Sequence, residues 1–419
     1  MRNASRAAWC AAGALWLSPA AAQAQAPTPA VLTLAVARDS ARRHSPELAA
    51  MRHAVASAAG RERQAGAWPN PTLSYGREQT SLEGETSAQD IVSLDQPLEL
   101  GGQRGARKSA ARSAHAAAEA RLAATEARID YEVVRTYVIA AAGQRRATLA
   151  EAAARAFEHA SRVSRERLTG GDISGYEHRR LGLEAARYAS LRVEALVARD
   201  SALRTLASLI GLADLPDSLE LSDTSTPAPL AQPADSLVAL AMARRPELRA
   251  AAMDAEAGAA EARLAVAERI PTPTLTGGYK HESLATGASL GGFVAGVSLP
   301  LPLWDRRGGA VEAARAEASR RDAEIGVLRR QTALQVRSAF AAHQALAEQL
   351  RLLRAQLGED AARARRAAEA AYGEGEIGLL EWLDSVRAYQ EAETTYVTLW
   401  AEYVARRAAL ERITGVPLF

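Results

Sequence analysis

The chain has 419 residues and a formal net charge of +2, with acidic residues interleaved among arginines along the same segments. That balance gives no strong field toward nucleic acid and reads as solvated helix faces, so no nucleic-acid partner is expected. Aromatic residues reach only 5% while alanine dominates the apolar fraction, which argues against a bulky globular core and suits thin layers of closely packed helices.

In chain order, the first feature is a secretory signal over residues 1–26: Arg2 and Arg6, a short apolar run from Ala7 to Leu17, and a small-x-small site at Ala22-Gln23-Ala24 or Ala24-Gln25-Ala26. The apolar run is too short to span a bilayer, and it contains the only cysteine, Cys10. Removal of the signal leaves no thiol, so disulfides, thiolate metal sites and cysteine catalysis are excluded. No later run of eighteen apolar residues occurs, so any membrane contact must be made by strands.

The mature chain then repeats itself with a period of about 200 residues. Ser45-Pro46-Glu47-Leu48 returns as Arg245-Pro246-Glu247-Leu248, and Trp68-Pro69-Asn70-Pro71-Thr72-Leu73 as Ile270-Pro271-Thr272-Pro273-Thr274-Leu275. Gln96-Pro97-Leu98 matches Leu301-Pro302-Leu303, Gly171-Asp172-Ile173-Ser174 matches Gly375-Glu376-Ile377-Gly378, and Leu209-Ile210-Gly211 matches Ile413-Thr414-Gly415. The repeats cover 27–218 and 236–419, joined by a Ser-, Thr- and Pro-rich linker over 219–235.

Each repeat predicts the same elements. A helix over 33–66, and again over 236–268, ends at a Pro-x-Pro stop. Strand pairs follow at 72–80 with 89–96 and at 274–282 with 292–299, joined by polar loops at 80–88 and 283–291. Phe293, Ala295, Val297 and Leu299 alternate with Val294, Gly296 and Ser298. Long helices over 103–168 and 306–371 come next; at ~1.5 Å per residue, about 65 residues form a rod of roughly 100 Å, far beyond what a globular domain needs. Glycine turns at 169–176 and 372–380 reverse the chain into returning helices over 174–210 and 378–414.

Strands of about nine residues have the length of transmembrane β-strands, but four strands cannot close a barrel, and open edges are not tolerated in lipid. Three copies would supply twelve. The fold class expected is therefore mainly α with a membrane β-barrel: a duplicated helix–strand–strand–long helix–helix unit whose trimer forms a 12-stranded barrel above an α-helical tunnel. The alternative is a soluble helical bundle capped by two hairpins.

These features together resemble the outer-membrane efflux (TolC) family along essentially the whole mature chain. Pro300-Leu301-Pro302-Leu303-Trp304-Asp305-Arg306-Arg307-Gly308-Gly309 is similar to the strand-to-helix stretch of the heavy-metal (CzcC-like) branch. The segment from Tyr372 to Glu393 resembles that branch's second turn, with Gly378 where Ser is usual and Trp382 in place of an aliphatic residue. The resemblance implies a passive exit duct in the outer membrane, a homotrimer set in lipid, serving an inner-membrane pump of the resistance–nodulation–division (RND) type through a periplasmic membrane-fusion adaptor. It implies heavy-metal cations as the exported class, with multidrug or organic-solute efflux and type I secretion as alternatives. A periplasmic coiled-coil adaptor is a more distant one.

The resemblance also implies that the adaptor docks at the hairpin tips, Gly171, Asp172, Ile173 and Ser174 with Gly375, Glu376, Ile377, Gly378 and Leu379. There Ile173, Ile377 and Leu379 would offer apolar knobs, and the same residues would serve as helix caps. Glu381 and Asp384 fall on one helix face and match the acidic positions that ring the family's closed entrance. The equivalent first-repeat positions are Glu177 and Arg180, so the acidic pair is not duplicated. Taken alone, such a pair is a solvated face; as a ring it would select cations and gate. Gly373-x-Gly375-x-x-Gly378 spells a dinucleotide fingerprint but follows a helix, not a strand, and is rejected. The seven histidines lack ligand spacing and are read as mostly surface residues. No enzyme activity, catalytic residue, metal site or cofactor is expected.

Overall fold

The computed structural model describes residues 31–82, 85–212, 219–222, 225–357 and 359–418. The expected signal over 1–26, with Cys10, lies outside the described residues. Strand β1 (Val31–Leu32) leads into helices α1 (Leu34–His44) and α2 (Pro46–Ala65), strands β2 (Thr72–Leu82) and β3 (Glu85–Pro97), and helices α3 (Gln103–Gly170) and α4 (Gly175–Ile210). After β4 (Glu220–Leu221), the second half repeats the series with α5 (Ala234–Arg244), α6 (Pro246–Ala267), β5 (Thr274–Ser283), β6 (Ser289–Ser298), α7 (Gly308–Gln356), α8 (Glu359–Glu374) and α9 (Leu379–Thr414).

Three expectations are corrected. The opening helix of each repeat is two helices, broken at Ser45 and at Arg245, because the following proline disfavours helical backbone in its predecessor and then starts a new helix at its first position. The second long helix is likewise two: α7 ends at Gln356 with Leu357 as its cap, just before Gly358, a residue type of low helix propensity. The connections at 80–88 and 283–291 are shorter than expected. Thr80 pairs with Ser87 and Ser81 with Thr86 in the β2–β3 ladder, since hydroxyl-bearing residues fit strands as readily as loops; β6 similarly starts at Ser289.

The rod α3 is continuous over 68 residues and packs against α2, α4, α6 and α9. Most of its buried residues are alanines, which lets neighbouring backbones approach closely. The main core joins Ile129, Val133, Tyr137 and Val138 of α3 with Leu206 and Ile210 of α4, Leu346 and Leu350 of α7, and Val397, Trp400 and Tyr403 of α9. The linker is strapped to this core. β1 and β4 pair in parallel, and Gln144 donates to Leu219 O and accepts from Leu221 N. Trp400, Tyr403 and Arg407, on one face of α9, donate to the carbonyls of Ser225, Pro227 and Ala228 at 3.5, 3.0 and 2.8 Å.

The four long strands form one antiparallel sheet in the order β2-β3-β5-β6, so the hairpins of the two repeats meet at β3 and β5. Tyr75, Val92, Tyr279 and Phe293 lie opposite one another in a single row across the sheet. With Leu73, Leu94, Leu275 and Val297 they make one apolar face, and Phe293 is 93% exposed. On the other face the Asp95 carboxylate accepts from the hydroxyls of Ser74 (3.2 Å) and Thr276 (2.5 Å), and Lys280 donates to Gln89 at 3.3 Å. Strands β2 and β6 each have one neighbour and one open edge.

His343 departs from the surface reading of the histidines. It is buried between α7 and α9, stacked on Tyr403 with ring centroids 4.3 Å apart. Burial pushes its imidazole down to about 4, with the Arg407 guanidinium acting in the same direction against a small pull from the Tyr403 backbone. The folded chain keeps His343 neutral where the unfolded chain takes up a proton, so stability is intact above about pH 6.5 and falls as the pH drops toward 4, by on the order of 3 kcal/mol. Thermal unfolding followed between pH 7.5 and 4 should show this loss, and His343→Phe should flatten that part of the profile.

Candidate functional site at the hairpin ends

Helices α3 and α4 form one hairpin, and α8 and α9 form the other. The two reversals are built alike. Gly171 and Gly375 both adopt φ of +84°, a left-handed conformation that glycine enters without strain. Asp172 N donates to Arg167 O at 2.9 Å, and Glu376 N to Ala371 O at 2.8 Å, closing the two helix ends. The Gly373-x-Gly375-x-x-Gly378 run therefore lies in a turn between two helices.

The starts of the returning helices differ. Ser174 caps α4 in a capping box: Glu177 N donates to Ser174 Oγ at 3.2 Å, and the Glu177 carboxylate accepts from Ser174 N at 3.3 Å. Gly378, the matching position of α9, has no side chain to cap with. Glu381, the counterpart of Glu177, is consequently not drawn back onto the helix end. Glu381 and Asp384 both stand exposed, with no hydrogen bond or ion pair among the described residues. The single change from serine to glycine thus releases a carboxylate in one hairpin that is occupied in the other.

Opposite that exposed face, the same turns of α9 build the seam between the hairpins. Phe157 of α3 stacks on Tyr188 of α4 at 4.1 Å and packs against Trp382 of α9 at 4.9 Å; Trp382 in turn stacks on Tyr372 of α8 at 5.0 Å. Leu181, Leu379, Leu383 and Val386 complete this cluster. Arg167 donates to Tyr372 O at 3.2 Å, and Arg387 of α9 pairs with Glu184 of α4. Burial pushes the phenols of Tyr188 and Tyr372 up, so both remain neutral at ordinary pH. A large aromatic buries roughly 150–250 Å² when covered, so this small cluster is a substantial contact between the hairpin ends.

Of the sequence-predicted tip residues, Gly171, Asp172, Ser174, Gly375, Glu376 and Gly378 are exposed, and Ile173 and Ile377 are half-buried. Leu379, expected as an exposed knob, is buried. Three and four residues before Trp382 and Leu383 is one helix face, so it turns inward with them, and Leu380 is the exposed neighbour. Sequence reasoning noted Trp382 only as an oddity and missed Phe157, Tyr188 and Tyr372. In a chain so poor in aromatics, four rings near two predicted turns were the signal available.

The family model described as outer membrane efflux protein matches this chain twice, over residues 37–212 and 237–416. The cobalt-zinc-cadmium resistance protein CzcC of Cupriavidus metallidurans is 26% identical over 386 residues, covering 92% of this chain and 90% of that protein. Among solved structures, the outer membrane channel CmeC of Campylobacter jejuni superposes with a TM-score of 0.76 at 16% identity, covering 92% of this chain and 86% of that one. The open state of the MtrE outer membrane channel of Neisseria gonorrhoeae gives 0.71 at 19% identity, covering 92% and 89%. Both show that the mainly helical fold with its small antiparallel sheet is the one such channels adopt.

Proposed function

The chain belongs to the outer membrane efflux protein family, and from that premise we propose that three copies close one barrel and one tunnel to form the exit duct of a tripartite efflux system. In this reading residues 1–26 direct export, the repeats 27–218 and 236–419 are joined by 219–235, and the long helices reach from the outer membrane into the periplasm. An inner-membrane RND pump does the energetic work, and a membrane-fusion adaptor docks on the tips around Gly171–Ser174 and Gly375–Gly378. Metal cations are the exported class, supported by the resistance named for CzcC. Conduction is passive.

The observation that carries this reading is the sheet, with an apolar outer face and two open edges. Backbone groups left unpaired in hydrocarbon cost several kcal/mol each, so β2 and β6 must find partners. The duplication supplies the register. Inside the chain Leu94 of β3 faces Gly277 of β5; the hairpin registers match Leu73–Leu94 with Leu275–Val297, and shifting each residue to its register counterpart sets Val297 of β6 against Tyr75 of the next copy. Leu299 then faces Leu73. Both pairs extend the apolar face around the ring, and twelve strands close with polar Asp95 and Lys280 inside.

At the narrow end, three copies of Glu381 and Asp384 bring six carboxylates toward one axis, a ring that favours cations and closes under counter-ion or salt-bridge control. Oxidation of a Tyr75→Cys, Val297→Cys double variant should yield a covalent ladder up to the trimer, whereas single variants stay monomeric on denaturing gels; a double variant that never cross-links removes this closure. Glu381→Gln with Asp384→Asn should raise single-channel conductance or weaken cation preference in planar bilayers, and unchanged currents would take both residues out of the gate. Deletion of the gene should sensitise cells to divalent metals such as cobalt, zinc or cadmium; sensitivity to organic toxins with normal metal tolerance would reassign the cargo.

A further inference from the structure

The seam behind the acidic pair holds more than the gate reading uses. Trp382 is 1% exposed, clasped between Tyr372 and Phe157, yet its indole N–H meets no acceptor. The Glu184–Arg387 pair also crosses between the hairpins: the Arg387 Nε is buried without a hydrogen-bond partner, while the Glu184 carboxylate is paired by Arg387 on one oxygen and by Arg187 on the other at 3.7 Å. Two buried donors, the Trp382 indole N–H and the Arg387 Nε–H, therefore go unpaired where the ends of the two hairpins meet. The seam combines close ring packing, which favours contact, with desolvated groups that water would relieve. Such a surface has two acceptable states, closed and dry or parted and wet.

Trp382 is also placed to transmit that choice. It lies on the first turn of α9, adjacent to Glu381 and two residues before Asp384, with the carboxylates exposed on the other side of the same turns. Gly378 leaves this helix start without a side-chain cap, and Gly375 precedes it in the turn, so the end of α9 is held by the rings and by the backbone bonds of Glu376 N and Ile377 N to Ala371 O. Any movement that carries Glu381 and Asp384 away from the axis pulls Trp382 out of its slot.

We propose that Trp382 is the latch of the second hairpin: seated between Phe157 and Tyr372 it holds the entrance closed, and opening withdraws it into water, where its N–H gains a partner. This rests on the reading of the acidic turn as the entrance. Trp382 is a positioning residue that acts through α9 and touches no cargo.

The latch predicts opposite effects from two changes at one position, measured on the full mature trimer in planar bilayers. Trp382→Ala removes the ring and should raise mean conductance several-fold. Replacing Trp382 by 3-benzothienylalanine, which keeps the bicyclic shape and removes the N–H, should lower the open fraction by about tenfold, the scale of relieving one buried unpaired donor. If the alanine variant does not assemble, Tyr372→Leu strips one stacking partner while leaving the backbone carbonyl that Arg167 uses, and should show the same rise. Wild-type currents in assembled variants, or shifts of the same sign for both changes, would overturn the latch. Opposite shifts alongside an inert Glu381→Gln, Asp384→Asn variant would keep the latch and remove the carboxylate ring. No current from any variant, wild type included, would remove the channel reading and the latch with it.

Discussion

A backbone that enters hydrocarbon has no water to complete its hydrogen bonds, and the arrangement of this chain answers to that constraint before any other. Its sheet puts Leu73, Tyr75, Val92, Leu94, Tyr279, Phe293 and Val297 on one face and Asp95, Gln89 and Lys280 on the other. A face of that kind belongs against lipid, but β2 and β6 still carry a row of unmatched donors and acceptors. The number of strands, the alternation of side chains and the need for further copies are one problem with one solution. The helical rods adjoin the sheet at its strand ends, α3 after β3 and α7 after β6.

Duplication makes the solution economical, since in the proposed trimer the joint between β3 and β5 inside the chain is the template for the joint between copies. It also sets a limit, because two identical hairpins could not both line the axis and face outward. The chain breaks its own symmetry with few changes. Ser174 becomes Gly378, Arg180 becomes Asp384, and the α9 hairpin acquires Trp382 and Tyr372. The first change frees Glu381 from a capping box that still holds Glu177. The second adds a second carboxylate to the same face. The two hairpin ends thus differ in the occupancy of a helix cap, a local effect on the order of a fraction of a kcal/mol between serine and glycine.

Much of this was readable from residues. Proline stops, glycine turns and the repeated landmarks located the strands and both reversals within a few positions, because those signals are local and steric. The breaks at Ser45 and Arg245 are equally local, since Pro46 and Pro246 each disfavour helical backbone in the residue before them. Other features were not local. The ring cluster draws on Phe157, Tyr188, Tyr372 and Trp382 from four helices, and no spacing along one helix reports such a meeting. His343 looked like one dispersed histidine among seven because burial between α7 and α9 depends on how the rods are rotated. Leu379 was misread since an exposed turn and an inward helix face are one residue apart.

The strap over the linker has a consequence for how this segment can change over time. Trp400, Tyr403 and Arg407 hold it through the carbonyl oxygens of Ser225, Pro227 and Ala228, acceptors that every amino acid provides. Gln144 does the same for the main chain at Leu219 and Leu221. The path of the crossover is therefore dictated by donors on the rods together with the buried Leu219, Leu221 and Leu230, and the side chains at its exposed positions are free to drift. Related ducts can differ in linker spelling while keeping its route, provided the donors and the number of links between them are retained.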